Sequence, residues 1–331
     1  MRICVVGVGK ELEQYMNGNF KKYISMIIDE KQVGKRYYNF TIQGIEDLKK
    51  ANENAIVAIS NEYNFKEMRE KIQLINSELN CMELKNAIKE MPKVGYCNIC
   101  KKDVAFWGYV GQDNKTVYKI IGNGKRLSGC CHCGAIDRER WIYYVMENYT
   151  DIFYEKNEKY QVLHFAPEKQ IGSRLRRIYK KGYYSADIRG ERVDYIVDMQ
   201  NMQFADKKFK YIIANHVLEH VIDDKKAIEE LARCLRDDGI VILSFPICME
   251  INTLENENYN KEFLRKKYYG QEDHVRLYGR DFIKRFEDAG FMSKIFMPCD
   301  ILKPNTIKDL KIIGNDRIII LKKKNEGAES L

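Results

Sequence analysis

The sequence predicts an α/β protein built on parallel sheets, and three observations carry that prediction. From Gln161 to Pro246, four short apolar runs (Val162 to Ala166, Tyr183 to Ala186, Tyr211 to Ala214, Ile240 to Phe245) alternate with segments of helical period. That is the pattern of parallel strands joined by crossovers. A similar alternation fills residues 1 to 90, where RICVVGVGK, ISMIIDE and NAIVAIS read as strands and Phe65 to Leu79 as a helix between them. Between the two lies a cysteine-paired segment that belongs to neither pattern. Three units are therefore expected: an α/β module over 1–90, a metal-stapled segment with a following helix over 91–150, and a larger α/β domain over 151–325.

Bulk composition is consistent with this division. A chain of 331 residues allows two or three domains, and 45% apolar residues are ordinary for a globular core. The net charge is +8, but the basic residues are spread among 48 acids. Charge alone therefore makes only a weak case for a nucleic-acid partner. The start MRICVVGVGK has no long apolar stretch or small-residue cleavage site, and no run approaches the ~18 residues of a membrane span. A soluble, cytoplasmic protein is expected. In that compartment ten cysteines argue for thiols or metal ligation rather than disulfides.

In the first module the turn after the first strand holds only Gly7 and Gly9. Glu11 to Glu13 stand where a dinucleotide fingerprint would place its third glycine. The unit resembles the Rossmann-like modules that precede glycan-modifying enzymes. A structural or partner-binding role and a bound nucleotide or nucleotide sugar both remain open. Asn80 to Met91 reads as a helix stopped by Pro92.

Cys97-Asn98-Ile99-Cys100 and Cys130-Cys131-His132-Cys133-Gly134 follow, with 29 residues between the pairs. Each pair can bend a tight turn that faces two thiolates toward one ion, so the spacing fits a tetrahedral zinc ribbon with Cys97, Cys100, Cys130 and Cys133 as ligands. Four thiolates leave no open coordination position, which makes a structural Zn2+ the expectation. Cys131 and His132 should point away from the knuckle. Asp137 to Asn148 reads as a helix with Trp141, Tyr144, Val145 and Asn148 on one face.

In an open parallel sheet, ligands bind beyond the carboxyl ends of the strands. Here those positions carry Pro167-Glu168, Asp187, Asp198 and Asn215-His216. The acid ending the second strand, the Asp198-Met199 pair, NHVLEHV after the fourth strand and GIVILSFP as the fifth resemble a class I S-adenosylmethionine-dependent methyltransferase of the small-molecule type. The cysteine pairs and QEDHVRLYG narrow the resemblance to the zinc-ribbon-bearing methyltransferases of bacterial glycan tailoring. The resemblance implies a Rossmann-like seven-stranded domain with S-adenosyl-L-methionine as cofactor and the last two strands, FMSKIFM and DRIIILKKK, paired antiparallel. It further implies that Asp187 accepts the ribose hydroxyls, that Asp198 meets the adenine amino group with Met199 flanking the ring, and that Asn215 and His216 line the cofactor and methyl-transfer site.

The first strand departs from the superfamily. His164 stands where an acid is usual, and Ala166-Pro167-Glu168 replace the glycine-rich loop, although the zinc-ribbon group carries a similar HxAPE turn. His164, Ala166 and Glu168 are accordingly expected at the cofactor. Helix Asp224 to Arg236 should end at Gly239. The irregular stretch Cys248 to Tyr269 should overhang the cofactor as a substrate cover. After it, His274 is expected as the base, oriented by Asp273, with Arg276 and Tyr278 gripping the acceptor. EGAESL should fray. The acceptor is expected to be a small molecule or glycan, most simply a sugar hydroxyl, and a homo-oligomer is possible. The alternatives are a non-catalytic scaffold and an RNA methyltransferase, the latter lowered by the absence of an NPPY-type motif.

Overall fold

The computed structural model describes residues 2–16, 18–52, 54–155, 159–190 and 192–324; the EGAESL tail lies outside the described residues. The chain forms two compact units, Met1–Val110 with Arg126–Gly134, and Gly111–Lys125 with Ala135–Leu331. No helix among the described residues is long and apolar enough to cross a membrane.

The first unit is built on β1 (Ile3–Val6), β2 (Ile24–Ile28), β3 (Ile56–Ile59) and β4 (Asn80–Glu83), a parallel sheet in the order β2-β1-β3-β4. Helices α1 (Lys10–Met16), α2 (Phe65–Ile75) and α3 (Leu84–Lys89) connect or flank these strands. Asn64 caps α2, its side chain accepting from the Lys66 and Glu67 N–H groups. Asn80 to Met91 is thus a strand and then a helix rather than one helix. Pairing Asn80–Glu83 along β3 satisfies that strand's backbone groups, and this outweighs local helical period. The ribbon strands β5 (Gly95–Cys97), β6 (Lys102–Val104), β7 (Trp107–Val110) and β8 (Arg126–Cys130) form two antiparallel pairs. Ala105 and Phe106, between them, are buried with Ile3, Val5, Phe20 and Leu84. One shared core therefore unites the module and the ribbon, in place of two separate domains.

The second unit opens with α4 (Asp137–Tyr149), whose Trp141 Nε1 donates to the Phe296 carbonyl at 3.3 Å. Its strands are β9 (Val162–Phe165), β10 (Tyr183–Asp187), β11 (Tyr195–Ile196), β12 (Phe209–Asn215), β13 (Leu235–Ser244), β14 (Ile247–Cys248), β15 (Tyr278–Gly279), β16 (Phe291–Phe296) and β17 (Ile318–Lys323). Seven of them make one sheet in the order β11-β10-β9-β12-β13-β17-β16. The first five run parallel, and β17 and β16 are antiparallel. Chain order reverses between β9 and β12, so the crevice that such a sheet offers a ligand opens at their carboxyl ends.

Helix α5 (Lys169–Tyr179) follows β9 directly, and α6 (Asp224–Cys234) leads into β13. Gly239 does not stop α6, because Leu235 already belongs to β13. A Cβ at Gly239 would stand 2.9 Å from the Lys210 carbonyl oxygen, so the glycine serves close strand passage. The stretch after Cys248 is folded: α7 (Glu262–Tyr269) ends at Gly270 in the left-handed region, and Tyr259 and Tyr268 stack at 4.0 Å. Gly111–Lys125, which leaves the ribbon between β7 and β8, packs here. Ile120 is buried with Cys248, Tyr269 and Leu277, and the Val117 N–H donates to the Lys267 carbonyl at 2.9 Å.

Gly172 lets α5 lie close on β10, since a Cβ there would stand 2.9 Å from the Tyr183 hydroxyl, itself held by His164. Gly172→Val should therefore cost about 2 kcal/mol of stability by overpacking, read as a lower urea midpoint with an unchanged slope.

Candidate active site

Four adjacent strands are tied by one row of hydrogen bonds that runs from the start of β10 to the carboxyl ends of β9, β12 and β13. His164 Nε2 lies 2.8 Å from Glu168 Oε2, and His164 Nδ1 lies 3.0 Å from the Tyr183 hydroxyl. Asn215 Nδ2 donates to Glu168 Oε1 at 3.0 Å, and the Ser244 hydroxyl donates to Asn215 Oδ1 at 3.2 Å. A carboxylate only accepts, so His164 Nε2 carries a proton and Nδ1 can take the tyrosine's. Burial pushes the Glu168 carboxyl up, but the hydrogen bonds from His164 and Asn215 outweigh it and hold the group below the ordinary glutamate value. His164 is fully buried and engaged at both ring nitrogens. The expected cofactor contact at His164 is thus corrected: it holds Glu168 and does not face a ligand. Ala166, exposed at the turn, has φ 43, the left-handed conformation that a glycine would adopt without strain.

Asp187 ends β10, and its Oδ1 accepts the Arg189 N–H at 2.8 Å; Asp198 Oδ1 accepts the Gln200 N–H at 2.9 Å. Both acids thus shape their own turns. Met199 is buried in the core. Asp194, exposed at the surface, accepts from the Ser185 N–H and hydroxyl and from Arg176, at 3.0, 2.7 and 2.8 Å.

Beyond β12 the chain turns sharply, with His216 at φ 52. Its Nδ1 lies 3.2 Å from Glu219 Oε1. Glu219, buried in the middle of NHVLEH, received no role from the sequence, although an acid between two histidines inside an apolar run was the available signal. His220 Nδ1 lies 3.3 Å from Asp273 Oδ2, and the His220 and His274 rings meet edge-on at 4.7 Å.

Three expectations from QEDHVRLYG are corrected. His274 is 2% exposed and its Nδ1 lies 3.0 Å from the Tyr269 carbonyl oxygen, so it is neither oriented by Asp273 nor open to an acceptor; Asp273 partners His220 instead. Burial also lowers the His274 pKa. Arg276 is no clamp. Buried, it donates to the carbonyls of Leu218, Val221 and Ile222 and pairs with Glu255. Tyr278, with no exposed surface, donates its hydroxyl to Asp224 Oδ2 at 2.8 Å. These side chains lock the segment to the turn after β12, because buried donors and acceptors must find partners.

In the first unit the cysteine sulfurs converge. Cys97 and Cys133 lie 3.7 Å apart, Cys100 and Cys130 3.9 Å, and all four within 4.8 Å of one another. His132 turns its Nε2 to the Asp103 carbonyl at 2.9 Å, and Cys131 packs on the apolar core. At the module's own strand ends, Asp29 accepts from the Val8 N–H and the Tyr63 hydroxyl. A Cβ at Gly7 would stand 2.2 Å from the Ser60 hydroxyl and one at Gly9 2.1 Å from Glu62. Ser60 and Glu62 thus stand against the glycine turn.

Residues 140–292 match the model of the methyltransferase-domain family. No curated protein matches the chain. Among solved structures it resembles a putative methyltransferase from Bacillus halodurans C-125, at 19% identity over 54% of this chain and 95% of that one, with a TM-score of 0.34. It also resembles an S-adenosylmethionine-dependent methyltransferase from Archaeoglobus fulgidus, at 13% identity over 56% and 93% of the two chains and a TM-score of 0.35. A third likeness is to a geranyl diphosphate C-methyltransferase from Streptomyces coelicolor A3(2), solved with Mg2+, geranyl diphosphate and S-adenosyl-L-homocysteine, at 10% identity over 57% and 79% and a TM-score of 0.37.

Arg276→Ala strips three buried carbonyls of their donor, at roughly 1 kcal/mol each. It should lower stability by about 3 kcal/mol in chemical denaturation; a variant of native stability with only a raised acceptor KM would restore the clamp. Over residues 140–292 the chain is similar to a methyltransferase domain, which supports an enzyme.

Proposed function

We propose that the second unit methylates a hydroxyl of a sugar-like acceptor in glycan synthesis, and that the four-cysteine knuckle holds a structural zinc ion. The observation that carries the first reading is the pair Asp187 and Asp198, set just beyond neighbouring parallel strands at the open end of the sheet. The donor set suits an adenosine. Asp187 Oδ2 has no partner among the described residues and is available to ribose hydroxyls, Asp198 is exposed for an exocyclic amine, and Ile188, 66% exposed beside Asp187, offers apolar surface to a flat ring. Ala166 keeps the backbone turned as a glycine would, so the HxAPE turn replaces the missing glycines without closing the crevice.

When bound, the sulfonium supplies an electrophilic methyl carbon. Glu168, fixed by His164 and Asn215, forms the wall between the two central strands. His216, oriented through Nδ1 by Glu219, has its other ring nitrogen available to take the acceptor's hydroxyl proton, an arrangement suited to general-base work. The stacked Tyr259 and Tyr268 in the segment after β14 support a sugar acceptor, whose C–H faces pack on aromatic rings.

For the knuckle, a tetrahedral ion with bonds of about 2.3 Å would set its sulfurs about 3.8 Å apart, close to the 3.7 and 3.9 Å separations here.

Incubating the chain with isotope-labelled cofactor and a panel of nucleotide sugars should give a labelled methyl adduct by mass spectrometry. Asp187→Ala should weaken cofactor binding in calorimetry by about tenfold or more; no binding of S-adenosylmethionine or S-adenosylhomocysteine by the unaltered chain would reject the reading. Metal analysis should find one zinc per chain, lost together with stability in Cys97→Ser. An unchanged metal content in that variant would reject the ribbon ligand set.

A further inference from the structure

A second polar cluster lies just past the strand-end row. Glu219 and His220 leave the short turn after β12, and His274 comes from the loop preceding β15. One carboxylate oxygen and one imidazole nitrogen from each histidine all lie within 4.8 Å of one another. Glu219 and His274 are 1% and 2% exposed. The Tyr269 carbonyl can only accept, so His274 Nδ1, 3.0 Å from it, carries the proton and Nε2 presents a lone pair. Among the described residues that Nε2 is buried without a hydrogen-bond partner, and so is Glu219 Oε2. Two acceptors are therefore sealed from water in one place. Each would cost roughly 1–3 kcal/mol if left unsatisfied.

We propose that Glu219, His220 and His274 bind one divalent first-row transition ion of the Mn2+, Fe2+ or Co2+ class. Two imidazoles and one carboxylate are a donor set these ions favour. Ligand atoms about 2.1 Å from a common ion stand at most about 4.2 Å apart, so the cluster closes on an ion with side-chain shifts of less than about an ångström. Outer partners are already in place, as metal-bound imidazoles and carboxylates require: the Tyr269 carbonyl on His274, Asp273 on His220 and His216 on Glu219. Three protein ligands leave coordination positions open to oxygen. The site rests on the buried cluster and not on the identity of the acceptor, and it is separate from the cysteine knuckle, which offers only sulfur.

The test is a titration of the full-length chain with Mn2+, followed by electron paramagnetic resonance and thermal unfolding. One ion per chain is expected, with nitrogen hyperfine coupling from imidazole and a raised Tm. Glu219→Gln and His220→Ala should each weaken binding by about tenfold or more, whereas Cys97→Ser should leave it intact. Because Glu219 is buried, His220→Ala, at a one-third-exposed side chain, decides the outcome should Glu219→Gln fail to fold. No Mn2+ bound up to about 1 mM, or binding unaltered by His220→Ala, would overturn the proposal.

Discussion

A half-buried carboxylate at the open end of a parallel sheet is the constraint on which the catalytic unit turns. Glu168 sits where β9 gives way to α5, and an ion so enclosed is tolerated only when every oxygen finds a donor. His164 and Asn215 supply those donors from β9 and β12, and Tyr183 and Ser244 in turn hold them from β10 and β13. The register that pairs His164 with Ser185 and Ile213, and Asn215 with Ser244, is thereby tied to the polar row. A slip of one residue would turn His164 to the opposite face and strand the charge.

The turn after β12 is held from a distance. Arg276 reaches three of its carbonyls, and Arg285 and Arg276 together engage Glu255 and Asp224. Burial pushes the Glu255 carboxyl up, yet the hydrogen bonds from the two arginines hold it below its ordinary value, so it remains the charged partner they need. What looked like a catalytic string in QEDHVRLYG is mostly the fastening that sets NHVLEH in position. His274 is the exception, since its unpartnered nitrogen faces the same cluster as Glu219.

In the first unit, physical economy runs the other way. Asp29, an acid ending a strand beside a glycine turn, looks in sequence much like Asp187, but here it takes the Val8 N–H and the Tyr63 hydroxyl. Ser60 and Glu62 stand close against the two glycines of the turn. Phe106 from the ribbon closes the module's apolar face, so the cysteine knuckle is part of that core.

The sequence by itself determined the alternation of apolar runs, and with it the parallel sheet and the positions of Asp187, Asp198 and Asn215 at its open end, because periodicity and strand length are local properties. It also marked the four cysteines, since a two-residue gap within each pair sets the turn that brings their thiols together. Only the tertiary structure decided which of the polar residues near the strand ends are already engaged by other parts of the chain. Arg276, Tyr278 and His164 carry the same side chains as a binding residue would, and what separates them is whether a distant carbonyl, carboxylate or hydroxyl has already taken their hydrogen bonds. Such partners lie 4 to 58 residues away along the chain, a range that no local pattern encodes. The merging of ribbon and module, and the packing of Gly111–Lys125 on the segment after β14, have the same origin: apolar surface is buried wherever the folded chain offers a complement.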